Sequence, residues 1–203
     1  MDWHKLMKHP STKELFDYWN ARRGRRAAPD RNDIDPASIR RVLADTFILS
    51  YDEPAGHPFR IAGTRVCAMF GRELKNQPYA ALWTAECRPL ARDLIAVVAA
   101  ESVGVVASAR GVDAEGNAHS LEVLLLPLSH RGRTDRRVLG ALAPAGHTAS
   151  LWVGVSAVAA LTLGTLRYLG NGLPRTAALH GAPLEQPVGR MRHGFVVYDG
   201  GQI

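Results

Sequence analysis

The clearest pattern in the chain is a short alternation of apolar and polar residues that runs directly into a helical spacing. Phe59 and Ile61 alternate with polar or small neighbours, as the residues of a half-buried strand do. Val66, Met69 and Phe70 then recur at steps of three and four, which places them on one face of a short helix. This region predicts a strand, a sharp turn and a helix of one or two turns.

Glycines mark both ends of that predicted helix. Gly63 and Thr64 form the turn, and Thr64 is placed to cap the helix that follows. Gly71 lies where a helix would end in a left-handed residue. We expect this compact unit, with its apolar face toward a sheet, to form one wall of a small cavity.

Two helices are predicted before this region. Ser11 and Glu14 have the spacing of a capping box, so the first helix should begin there and run to about Arg22, with Gly24 ending it. The pair Asp35-Pro36 has the residue types of an N-cap and a first helical position, and it predicts a second helix.

The remaining pattern predicts an antiparallel sheet of five strands. Pro78 should start a short helix and Pro89 a longer one that ends at Gly104, while Asp113 to Asn117 suits a hairpin because Gly and Asn accept positive φ. The fold class is α+β, with short helices on one face of the sheet and an N-terminal helical extension. The predicted strands are Phe47 to Tyr51, a strand beginning at Phe59, Val105 to Val112, Ala118 to Leu128, and Arg137 to Ala143.

The order of several motifs resembles a family of small bacterial PAS-domain proteins that consist of little more than the PAS fold. The resemblance spans roughly residues 14 to 155. It implies a PAS fold and a signalling role, usually without a catalytic activity, and it does not name a ligand or cofactor. The segments that carry it are Tyr18-Trp19, Arg22-Arg23-Gly24, Pro29-Asp30-Arg31, Asp33-Ile34-Asp35-Pro36, Phe59 to Leu74, and Trp152-Val153-Gly154.

Three regions follow from these assignments: an N-terminal helical extension over 1–45, a PAS-like domain over 46–155, and a partly ordered C-terminal extension over 156–203. The chain after Asn171 is rich in Gly and Pro, and Phe195 to Tyr198 predicts an added strand there.

Composition agrees with one globular domain of 203 residues, 46% of them hydrophobic, with a formal net charge of +6. Two cysteines are too few for a disulfide scaffold, and the N-terminus lacks the pattern of a secretory signal, so we expect a cytoplasmic protein. The stretch from Thr148 to Leu166 has no charged side chain, but its Gly, Ser and Thr residues argue against a membrane span.

Candidate chemistry is sparse. The flavin-binding cysteine motif of PAS photoreceptors is missing from Asn76-Gln77-Pro78-Tyr79, and residues 89–103 contain no histidine that could bind haem. The eight histidines lack paired metal-ligand spacing and are interpreted as surface or turn residues, and there is no Gly-x-Ser-x-Gly motif. Cys67 is interpreted as a core thiol. We therefore expect a protein without catalytic or metal-binding residues, with a cryptic enzyme as the weakest alternative.

A ligand pocket would be lined by nine mostly apolar residues, which suits a small, largely apolar molecule. The same residue types are what a filled core requires, so both interpretations stay open. The nine residues are Phe59, Ile61, Val66, Met69, Phe70, Tyr79, Leu82, Trp83 and Leu94.

The expected function is a non-catalytic sensory module that forms a homodimer and binds a signalling partner, with or without a small ligand. The expected interaction residues are Leu15, Tyr18 and Trp19 on one face of the first helix, with Arg22 and Arg23 behind them; packing inside the chain is the alternative for this face. A second hypothesis is a nucleotide- or nucleic-acid-binding regulator, which we favour less because no aromatic residue lies among its arginines. Those arginines are Arg22, Arg23, Arg25, Arg26, Arg31, Arg40 and Arg41.

Overall fold

The computed structural model describes residues 3–129, 136–145, 157–169, 190–192 and 195–197. Within these ranges the chain forms three α-helices, which are α1 (Pro10–Arg23), α2 (Thr64–Met69) and α3 (Arg88–Glu101). Short 3-10 turns connect them to the sheet at Trp3–Leu6, Arg31–Asp33, Pro36–Ile39, Leu43–Asp45 and Tyr79–Leu82.

The described strands make one mixed sheet in the order β2-β1-β5-β4-β3-β6-β8-β7. The five predicted strands are adjacent and antiparallel, which confirms the predicted α+β architecture, and three further strands extend the sheet beyond β3. The strands are β1 (Thr46–Ser50), β2 (Phe59–Ala62), β3 (Gly104–Asp113), β4 (Ala118–Leu128), β5 (Arg137–Pro144), β6 (Val158–Leu169), β7 (Arg190–Arg192) and β8 (Phe195–Val197).

Both faces of the sheet carry a hydrophobic cluster, because successive strand residues point to opposite sides. Phe47 and Leu49 of β1 belong to the cluster under α2 and α3, which we call the inner core. Ile48, between them, belongs to the cluster under α1, which we call the outer core. The sheet is therefore covered on one side by the helices that follow β2 and on the other by the N-terminal helix.

The N-cap of helix α1 lies two residues earlier than predicted. His9 is the N-cap, and its Nδ1 accepts a hydrogen bond from the backbone N–H of Ser11 at 3.1 Å. Ser11, the predicted cap, lies in the first turn and instead donates its hydroxyl to Asp45, because Pro10 already suits the first helical position. Gly24 ends the helix at a φ of 55°, as predicted.

The caps of the other two helices also differ from the predictions. Gly63 rather than Thr64 precedes α2, and a Cβ at Gly63 would lie 2.3 Å from a backbone carbonyl oxygen. Gly71 is left-handed at 61°, as predicted. Helix α3 ends at Glu101, and its C-cap Ser102 adopts the left-handed conformation with a φ of 55°. Gly104, which was predicted to end this helix, is instead the first residue of β3.

The predicted second helix and the predicted β3–β4 hairpin are both present, and the helix is a short 3-10 turn. The second helix is a 3-10 turn over Pro36–Ile39, capped by the Asp35 side chain as expected. The β3–β4 hairpin places Gly116 at a φ of 85°, and Asp113 Oδ1 accepts the backbone N–H of Asn117 at 2.7 Å.

The segment considered for a membrane span contributes a strand instead. β6 pairs with the edge of β3 along most of its length, so part of the predicted C-terminal extension is integral to the sheet. Among the described residues, none of the helices has the length and apolarity to cross a bilayer. The predicted strand near residue 195 is confirmed as β8, while Trp152-Val153-Gly154 lies outside the described residues.

Candidate functional site

Eight of the nine predicted pocket residues come together in the inner core. Their aromatic rings contact one another, with ring centroids 6.0 Å apart for Phe59 and Tyr79 and 5.7 Å apart for Tyr79 and Trp83. These contacts match the filled-core interpretation of the pattern. The eight buried residues are Phe59, Val66, Met69, Phe70, Tyr79, Leu82, Trp83 and Leu94.

Ile61 is the ninth, and its assignment to the pocket is wrong. Its side chain is 46% exposed. The β1–β2 register shifts, since Ile48 pairs with Ile61 but Leu49 pairs with Phe59, which leaves Arg60 as an extra residue. Such a bulge breaks the two-residue alternation, so Phe59 and Ile61 do not share a face.

Two polar atoms, His57 Nε2 and Trp83 Nε1, are buried in this region without a hydrogen bond of regular geometry among the described residues, although Trp83 interacts with the Tyr79 hydroxyl and His57 with the Arg92 backbone. His57 follows the turn at Glu53–Gly56, as the turn alternative predicted, but it is fully buried with its ring stacked on Tyr51 and is not a surface residue. Burial also raises the pKa of the Tyr79 hydroxyl, which keeps it protonated. Buried polar atoms without a regular hydrogen bond are costly, and they are points at which a polar group of a ligand or a water would be stabilised.

A buried carboxylate joins the helices on the two faces. Asp45 is 3% exposed, and Arg65 of α2 donates to it from two guanidinium nitrogens, at 2.6 Å from Nε to Oδ1 and 2.6 Å from Nη2 to Oδ2. Ser11 of α1 donates its hydroxyl to the same Oδ2 at 2.6 Å. We call Ser11, Asp45 and Arg65 the Asp45 cluster. Because charge-assisted, two-point hydrogen bonds are strong and directional, this cluster fixes α1 relative to α2.

A second buried carboxylate holds the start of α1 from the sheet side. Glu122 of β4 accepts the backbone N–H groups of Lys8 at 2.7 Å and His9 at 3.0 Å, and the hydroxyl of Thr12. The first N–H groups of a helix have no partner inside the helix, and a negative charge there also suits the helix dipole. Glu122 therefore supplies the N-terminal anchoring that the predicted capping box was expected to provide.

Stability should depend on pH through two buried histidines. Burial lowers the pKa of His9, opposed in part by Asp45 and Glu122, and burial with Arg92 lowers the pKa of His57. The unfolded chain then binds more protons than the folded one below about pH 6.5, so stability is present above that pH and falls as pH drops toward the folded pKa values. Chemical unfolding from pH 7 to 5.5 should show this loss, with a slope of up to about 1.4 kcal/mol per pH unit for each histidine.

The matched variant is the double substitution His9→Asn and His57→Asn. Asn is a good N-cap at His9 and tolerates the positive φ of 60° at His57. It does not titrate in this range, so the pH dependence should flatten. An unchanged slope in the double variant would contradict the assignment.

The predicted aromatic face of α1 is turned toward the sheet. Leu15 and Trp19 are buried in the outer core, and Trp19 Nε1 donates to the carbonyl of Pro127 at 2.8 Å. Leu15 and Trp19 therefore pack inside the chain, which was the alternative interpretation of this face, and they are not exposed for contact with a partner. Tyr18 is half-buried, and its hydroxyl accepts the backbone N–H of Asp35 at 2.7 Å.

The arginines around the end of α1 are used largely inside the chain. Arg22 and Arg23 lie over the Tyr18 and Trp19 rings, at 5.1 Å and 5.2 Å from their centroids. Arg26 forms an ion pair with Asp33, and Arg31 donates to the Ile34 carbonyl. The nucleic-acid hypothesis gains no support from this arrangement, because Arg26 and Arg31 already bind polar groups of the same chain.

Cys67 lies half-buried on α2, as its apolar neighbours predicted. Its Sγ is 3.6 Å from Glu73 Oε1, and burial, with that carboxylate, raises the pKa of the thiol. A raised pKa disfavours the reactive thiolate, which agrees with a packing role.

An antiparallel sheet in the order β2-β1-β5-β4-β3, with short helices between β2 and β3, defines a class of α+β sensor domains. The family model described as PAS domain matches residues 7–143, more than half of the chain, and this protein belongs to the PAS-domain family. The match includes α1, Asp45 and Glu122. None of the curated proteins matches the sequence.

Proposed function

We propose that this chain is a non-catalytic PAS sensory module that signals by changing the surface it offers to another protein. Membership of the PAS family supports the sensory role, because PAS domains are generally sensory modules. The observation that carries the proposal is the Asp45 cluster, which joins α2 of the inner core to α1 of the outer core. A displacement of α2 is thereby transmitted to α1 through short charged contacts.

The input in this proposal is a small ligand or a change of packing within the inner core. The core is largely apolar, and His57 Nε2 and Trp83 Nε1, which lack a hydrogen bond of regular geometry, supply one hydrogen-bonding atom each. These features suit a small, mainly aromatic or aliphatic molecule with one or two polar groups. Entry of such a ligand requires the contacting rings of Phe59, Tyr79 and Trp83 to rearrange. Because α2 contributes Val66 and Met69 to the same core, this rearrangement would displace α2.

The output in this proposal is the surface at the end of α1, formed by Tyr18, Arg22 and Arg23. Arg22 is exposed, and the other two are half-buried. Two arginines stacked on aromatic rings present cations in fixed positions, which favours an acidic protein surface as the partner. We expect the partner to be a cytoplasmic signalling protein and the chain itself to be a homodimer.

The test is affinity purification from the source cells with the wild-type chain and with the double variant Tyr18→Ala and Arg22→Glu. The wild type should retain an acidic protein that the variant loses, and the control Arg72→Glu, which changes an exposed arginine elsewhere, should still retain it. Native mass spectrometry of the purified chain reports the oligomer and any bound molecule in the same experiment. A partner retained equally by all three chains, or no partner above background, would contradict this output surface.

A further inference from the structure

The outer face of the sheet carries a groove beside the start of α1, on the side of the sheet opposite the inner core. It encloses about 570 Å³, and strands β4, β3 and β6 contribute to its lining. The lining residues that matter here are Lys8, Ser108, Arg110, Ser120, Thr162 and Gly164.

The strand register sets the polar floor of this groove. Arg110 of β3 pairs with Ser120 of β4 and with Thr162 of β6, so the three residues form one row across three strands. In the next row Ser108 is fixed by Thr165, whose backbone N–H it accepts at 2.7 Å and whose hydroxyl lies 2.9 Å away. The first row thus presents one guanidinium between two hydroxyls.

This floor differs from the rest of the same face. Val106 and Leu124 continue the rows farther along the sheet, and both are buried in the outer core. The sheet face therefore changes from apolar to polar along these strands. The groove is open to solvent at Arg110, Ser120 and Thr162, which are all exposed.

The charge of the groove is positive. Lys8 and Arg110 are its charged lining residues, and neither has an ion-pair partner among the residues that the structure describes. The nearby carboxylate of Glu122 already accepts three hydrogen bonds from the start of α1. Two cations beside hydroxyl groups are the donor set that binds carboxylates and phosphates.

We propose that this groove binds a small organic anion that carries a carboxylate or phosphate group on a hydroxylated body. The volume lies in the range that holds small molecules and exceeds what one inorganic anion would fill. Arg110 and Lys8 bind the anionic group, while Ser120 and Thr162 bind hydroxyls. Since the Lys8 backbone N–H donates to Glu122, the occupied groove also contacts the anchor of α1.

The test uses matched pairs of probes that differ in the anionic group. Ribose 5-phosphate with ribose, and gluconate with glucose, are titrated into the isotope-labelled full chain and followed by amide NMR shifts. At least one anion should shift the Lys8, Arg110 and Thr162 amides saturably, with a Kd of about 1 mM or tighter, and the neutral sugars should not. No saturable shift with either anion, or equal shifts with the neutral sugars, would overturn the proposal.

Two variants locate the site. Arg110→Gln should weaken binding by about tenfold or more, and Lys8→Gln is the second variant in case Arg110→Gln alters the fold. Arg60→Gln is the control, because it removes the same charge from an exposed arginine on another strand and should change the Kd by less than about twofold. An equal loss in Arg60→Gln would show general charge attraction and overturn the site.

Discussion

Replacing Trp19 with alanine should lower the free energy of unfolding by about 3–5 kcal/mol. The side chain is 4% exposed in the outer core, and its indole N–H donates to the Pro127 carbonyl. The substitution removes a large buried surface and also leaves a buried carbonyl without its donor. Urea unfolding followed by circular dichroism measures the change.

Trp19→Phe separates packing from hydrogen bonding. Phenylalanine keeps most of the buried ring but cannot donate to Pro127, so it should be destabilised less than the alanine variant, by about 1–3 kcal/mol. If the urea midpoint of Trp19→Ala equalled that of the wild type, Trp19 would not be a packed residue of the outer core. The result would instead support its interpretation as an exposed contact residue.

Asp45→Ala should cost about 3 kcal/mol of stability. The carboxylate is buried and accepts three hydrogen bonds, and breaking a buried ion pair by removing one partner is strongly destabilising. The expected loss stays below the largest values for such pairs, because Arg65 is 52% exposed and water solvates it once its partner is gone. The loss should be measured by denaturant unfolding near pH 7.

Two further substitutions make the Asp45 result specific. Asp45→Asn keeps the shape but places an amide N–H against the guanidinium, so we expect a smaller loss that is still above about 1 kcal/mol. Asp93→Ala, on the exposed side of α3, removes the same charge and should change stability by less than about 0.5 kcal/mol. If Asp45→Ala and Asp93→Ala were equally stable, the buried cluster would have no energetic role.

Much of the fold follows from local periodicity in the sequence. The helix that begins near Pro89 was predicted because its apolar residues recur at steps of three and four, and the strand at Ala118–Leu128 was predicted because it follows a segment that suits a hairpin turn. The eight predicted residues that are buried in the inner core also follow from the spacing of apolar residues along the chain. Ile61 is the exception, since a bulge at Arg60 changes the facing of the strand and no residue type there signals it.

The buried carboxylates could not be assigned a role from local patterns. Glu122 and Thr12 are 110 residues apart, and only the folded sheet brings them together. One signal was present, because Glu122 lies between Leu121 and Val123 in an otherwise apolar strand. A charged side chain at such a position is either exposed to solvent or bound to a buried polar partner. The burial of His9 and His57 depends likewise on distant segments.

The Asp45 cluster couples the inner core to α1, and hydrogen exchange of the Arg65→Gln variant measures this coupling. With Arg65 lost from α2, amides of α1 should exchange at least about tenfold faster, while the β3–β4 amides remain protected. Arg72→Gln, an exposed arginine just after α2, is the control and should exchange like the wild type. Wild-type protection of α1 in Arg65→Gln would contradict the coupling.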